Sequence, residues 1–112
     1  MISITKARQL ALAFEEAEEL PHFEKASFRV RKKIFATLDE KKNQLVIKLS
    51  QVDQSVFHDW NSEIIFPVPG GWGRQGWTII DLKKVPVSVF KDALSLSYCQ
   101  TAPAQLAAKY LK

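Results

Sequence analysis

Residues 27–38 and 44–49 alternate apolar and polar side chains with a period of two, and only short polar connections separate the runs. Phe28 and Val30 alternate with Arg29 and Arg31, and "KIFATL" and "QLVIKL" continue the pattern on either side of the turn "DEKKN". That period belongs to β-strands whose two faces meet different surroundings. Parallel strands need a crossover of a dozen or more residues, so connections this short require antiparallel pairing. The chain is therefore committed to a meander early in its length. Later runs at 63–68, "EIIFPV", and 77–82, "WTIIDL", supply a fourth and a fifth strand.

Helical patterns flank and interrupt the strands. Ile4, Ala7, Leu10, Ala11, Phe14 and Ala17 recur at spacings of three and four, which predicts a helix over 4–18 capped by Ser3. The acidic run Glu15, Glu16, Glu18 and Glu19 falls at its C-terminal end, where the helix dipole disfavours anions. Ser50 and Asp53 open a second helix over about residues 51–60, with Val52, Val56, Phe57 and Trp60 as its apolar face. Residues 69–76, "PGGWGRQG", read as a flexible loop. Pro86 starts a third helix carrying Val89, Phe90, Ala93 and Leu94 to Ser97–Tyr98. Thr101 caps a last helix with Pro103 near its start and Leu106, Ala107, Tyr110 and Leu111 facing inward.

The resulting order is α-β-β-β-α-β-β-α-α. It predicts an α+β two-layer sandwich: a five-stranded antiparallel sheet with the first and last helices packed on one face. At 112 residues and 46% hydrophobic content, the chain suits one domain, 1–112, with one modest core. One cysteine excludes an intrachain disulfide. With no export signal and no run of about 20 apolar residues, the expected location is cytoplasmic.

The net charge of +4 is unevenly spread. Residues 25–50 hold eight basic side chains against Asp39 and Glu40, whereas residues 1–24 are net acidic. Arg29, Arg31, Lys32 and Lys33 crowd one predicted hairpin. Such a cluster either attracts a polyanion or solvates a sheet edge against aggregation. Arg74 and Trp72 lie in the second long connection. Trp72 either stacks on a base or folds back on the sheet, and the pattern leaves both open. Trp60 and Trp77 read as core.

Catalytic and metal chemistry find little support. Cys99 follows a helix C-terminus, where the dipole raises a thiol pKa, and neither His22 nor His58 is placed beside it by sequence. Close Cys and His spacing for zinc, a Walker loop and a dinucleotide fingerprint are all missing. The glycine-rich loop joins two strands rather than opening a helix, so it does not read as a phosphate cradle. The expectation is a non-enzyme with no cofactor and no metal.

The stretch "SFRVRKKIFATL", the later "LVIKL", the pair Gly76–Trp77 and "SYCQTAP" resemble, in order and spacing, the MmcQ/YjbR-like family, over nearly the whole chain. Phe28, Arg29, Val30, Lys33, Phe35 and Ala36 match the family's first hairpin, Lys48 a lysine late in the third strand, and Ser97–Tyr98 a serine–tyrosine pair. Relatives commonly carry glycine where this chain has Lys32. The resemblance implies a small bacterial protein with a CyaY-like fold that binds DNA through a "double wing". Mapped onto this chain, the wings are the basic hairpin and loop 69–76. Arg29, Arg31, Lys32, Lys33, Lys48, Trp72 and Arg74 are then the nucleic-acid-binding residues, and binding is weak and largely sequence-independent. The alternative is a protein-interaction or small-ligand module.

Overall fold

The computed structural model describes residues 1–111. Its sheet has six antiparallel strands, one more than expected: β1 Ala17–His22, β2 Lys25–Val30, β3 Lys33–Asp39, β4 Gln44–Lys48, β5 Ile65–Pro67 and β6 Trp77–Asp81. They lie in the order β1-β2-β3-β4-β6-β5. The helices are α1 Ile4–Leu12, α2 Gln51–Trp60, α3 Gly71–Arg74, α4 Val87–Thr101 and α5 Ala104–Ala107.

The additional strand comes from the acidic run. α1 is capped by Ser3, whose side chain accepts a hydrogen bond from the Lys6 amide, but it stops at Leu12 rather than continuing to residue 18. Phe14, read as the next residue of the helical stripe, stacks on Tyr98 at 4.6 Å between ring centroids and meets Phe35 edge-on. Glu16 then takes a φ of 62°, and the chain turns into β1. The change removes four carboxylates from a helix C-terminus, where the dipole opposes them. Glu19 now faces Arg8 of α1 at 3.0 Å, and Glu18 lies opposite Arg29 on the other face.

Between β5 and β6, the expected loop contains the short helix α3. Gly73 fits it against the end of β5, since a Cβ there would lie 1.9 Å from the Val68 carbonyl oxygen.

One face of the sheet is covered. Phe28, Val30, Phe35, Leu38, Leu45 and Ile47 point toward α1, α4 and α5, and they form one core with Ala7, Ala11, Phe90, Leu94, Tyr98 and Leu106. Ser97 ties α4 to the sheet centre. Its hydroxyl donates to the Phe35 carbonyl at 2.7 Å and accepts from the Lys48 amide at 3.1 Å. Paired residues of β3 and β4 end at Ala36–Ile47, so this one hydroxyl serves the next amide and carbonyl beyond the ladder.

Several expected core positions are exposed instead. Val52, Val56 and Trp60 form an outward stripe on α2, and only Phe57 of that helix's apolar set packs on the core. Leu111 is exposed too. The sheet's second face carries Arg29, Ile34, Thr37, Val46, Trp77 and Ile79, all half-buried. Trp77 therefore belongs to this open face and not to the core.

Candidate functional site

The basic hairpin closes with a two-residue turn. Arg31 and Lys32 both adopt left-handed conformations, with φ of 50° and 71°, between paired Val30 and Lys33. That is the pattern of a type I′ turn, which suits the right-handed twist of the flanking strands and ordinarily recruits glycine or asparagine. Lys32 occupies the second turn position and pays a small conformational cost for placing a cation at the tip.

The four cations of this hairpin do not act together. Arg31 grips Glu16 with two hydrogen bonds, 2.9 and 3.0 Å. That contact holds the Glu16 carboxyl below the usual carboxylate range. Arg29 lies along the open face, where its Nε donates to Ser27 Oγ at 3.0 Å, and its neighbour across β1 is Glu18. Lys32 and Lys33 enter no ion pair among the described residues and are exposed.

Lys33 instead joins Lys48. Lys48 pairs with Trp77 across β4 and β6, and its ammonium sits 5.2 Å from the indole centroid. Gly76 makes this placement possible. Its φ is 106°, and a Cβ would come 2.0 Å from the Leu49 carbonyl oxygen, so only glycine lets β6 start so close to the end of β4. Lys33, Lys48, Ile34, Trp77, Gln100 and Thr101 line a small cleft of about 230 Å³.

That cleft adjoins a larger groove of about 760 Å³, with Ile34 and Trp77 common to both. Val46 and Thr37 floor the groove, Trp72 and Val68 bound one side, and the β1–β2 turn, His22 to Lys25, bounds the other. Trp72 is 63% exposed, so it neither folds fully onto the sheet nor leaves it. Phe23, 94% exposed with a φ of 59°, stands at the opposite rim edge-on to His22. Loop 69–76 thus shares a surface with the hairpin through Trp72. Arg74, exposed on α3, is not among the groove residues.

Sequence reasoning missed Phe23, Ile34, Thr37, Val46 and Trp77 as site residues. The signal was present in the period-two alternation, which puts Ile34, Val46 and Trp77 opposite the core positions. It was obscured because an apolar residue on a strand reads as core when the uncovered face is unknown.

Elsewhere, Cys99 Sγ donates to the Ala107 carbonyl, and burial pushes its thiol pKa up, as suits a packed rather than a reactive cysteine. His22 lines the groove, and His58 lies on α2. Among the described residues, no three His, Cys, Asp or Glu side chains are grouped to hold a metal. No helix among them is long and apolar enough to cross a membrane.

This arrangement defines an α+β protein with one antiparallel sheet, helices on one face and a grooved, partly cationic open face. A family model for YjbR matches residues 12–100, and the chain belongs to the YjbR family. It is similar in structure to Deinococcus radiodurans protein DR2400, a DUF419 protein, with a TM-score of 0.78. The two are 17% identical, and the match covers 89% of this chain and 78% of that one. At that identity the likeness concerns the fold. No curated protein matches the chain.

Proposed function

We propose that this protein is a non-enzymatic nucleic-acid-binding module whose contact surface runs from the open face of the sheet over the sheet end where Lys33 and Lys48 meet the C-terminal part of α4. The observation that carries this reading is the shared cleft: Lys33 and Lys48, from neighbouring strands, line it together with Trp77, and exposed Trp72 flanks the adjoining groove. Cations that reach phosphates beside aromatic faces that can stack on bases are the two parts such a surface needs. The reading modifies the double-wing expectation. Lys32, Lys33 and Lys48 supply the phosphate contacts, and Arg31 is held by Glu16. Few cations are involved, so affinity is modest, with Kd on the order of 10⁻⁴–10⁻⁶ M at physiological salt.

A salt titration with duplex and single-stranded DNA tests this. A variant carrying Lys32→Ala, Lys33→Ala and Lys48→Ala should bind more weakly on every sequence and flatten the log–log salt slope by about 2–3 units. Absence of wild-type binding at low salt, or equal binding by the variant, refutes it.

The stripe Val52, Val56 and Trp60 on α2 favours a second reading, a protein-interaction module. Its occupant in that case is a second copy of the chain. Sedimentation should then show a dimer that Trp60→Lys dissociates, and a monomer at high concentration discards the reading.

A further inference from the structure

The two hollows differ in chemistry and adjoin: the larger lies on the open face, and the smaller sits at the end of the sheet, where Gln100 and Thr101 of α4 complete its lining. The larger is mainly apolar, with the aromatic rings of Phe23, Trp72 and Trp77 around it. The smaller is cationic through Lys33 and Lys48. Ile34 and Trp77 form the boundary between them. A molecule that satisfies both has a flat apolar body joined to an anion.

We infer that the groove seats the base of an unpaired nucleotide, with the attached phosphate held in the Lys33–Lys48 cleft. This rests on the nucleic-acid reading above and adds to it the state of the strand. In a duplex, the base faces are stacked on one another and only their edges are accessible, so a duplex offers no face to Trp72. An unpaired base has two free π-faces, and stacking on an exposed aromatic is its usual mode of capture. The volume of about 760 Å³ falls within the range of pockets that hold compact organic ligands. Polar groups are few in the groove but suitably varied. The Thr37 hydroxyl and the His22 ring can each donate or accept, and the Glu24 carboxylate accepts. They give a base edge partners without demanding one base. Lys48 is already poised over Trp77, so a phosphate beside it meets a cation held in place.

The inference is tested by anisotropy titrations with three probes of equal length: an oligothymidylate, an abasic deoxyribose-phosphate oligomer and a random duplex. The oligothymidylate should bind roughly 5- to 150-fold more tightly than the abasic strand, the gain expected from one stacked base. It should also bind more tightly than the duplex. Trp72→Ala should remove most of that gain and leave abasic binding and its salt slope unchanged. Because Trp72 is largely exposed, this variant is expected to fold. Lys33→Ala should weaken oligothymidylate and abasic strands alike and lower the salt slope by about 0.7. Equal binding of the oligothymidylate and abasic strands, or tighter binding of the duplex, overturns the seated base while leaving nucleic-acid binding in place. Failure of all three probes to bind at low salt overturns both.

Discussion

Replacing Ser97 by alanine removes a single oxygen and exposes how the sheet centre is held. The Ser97 hydroxyl is fully buried and bonds two backbone groups on different strands, the Phe35 carbonyl and the Lys48 amide. In the alanine variant both lose their partner. A buried backbone group left unpaired costs about 1–3 kcal/mol. With two such groups and some relaxation between β3 and β4, the expected loss is about 2–4 kcal/mol. For a chain of 112 residues, an unfolding entropy near 2.1 cal/mol/K per residue makes each kcal/mol worth about 4 °C. The melting temperature should therefore fall by roughly 8–16 °C. Ser88→Ala, an exposed change near the start of the same helix, should stay within about 0.5 kcal/mol of the parent and serves as the control. Thermal and urea unfolding followed by circular dichroism measure both. A Ser97→Ala loss below about 0.5 kcal/mol would show that the two backbone groups find each other or water at little cost, and the bridging argument would fail.

Lys32→Gly should stabilise the protein by about 0.5–1 kcal/mol, because relief of a left-handed lysine outweighs the entropy glycine adds to the unfolded chain; urea midpoints decide it, and a destabilised variant contradicts the turn analysis. Glu16→Gln removes the anion that occupies Arg31, so the salt dependence of nucleic-acid binding should steepen by about 0.7–0.9 units. An unchanged slope would place Arg31 out of reach of the bound strand. Burial pushes the Tyr98 hydroxyl, which donates to the Glu15 carbonyl at 2.6 Å, up to about 12 from an ordinary 10.0. The folded state thus holds this proton more tightly than the unfolded chain, and the resulting stability is intact below pH 10 and lost as pH rises toward about 12. Stability curves of wild type and Tyr98→Phe should converge across that window, and parallel curves would refute the assignment.

The amino-acid sequence by itself determined the antiparallel meander, the helices at 51–60 and after Pro86, and the alternation that sorts strand residues onto two faces. These follow from local rules. A period of two or of 3.6, a cap or a proline acts within a few residues, and short connections leave antiparallel pairing as the only choice. Only the tertiary structure decided the fate of residues 13–22. The spacing of residues 4–18 fits a helix, but β1 pairs instead along the edge of β2, and Phe14 stacks on Tyr98, 84 positions away. Which apolar strand residues remain uncovered was also beyond the sequence. Val46 and Ile47 are equally apolar, yet one lines the groove and the other is fully buried, because helices cover only one face. The same holds for the cations. Arg31 and Lys33 differ by two positions, but Glu16 reaches only the first and Lys48 adjoins only the second. A charge run fixes the field a hairpin can make, whereas the partners that cancel or focus that field come from strands elsewhere in the chain.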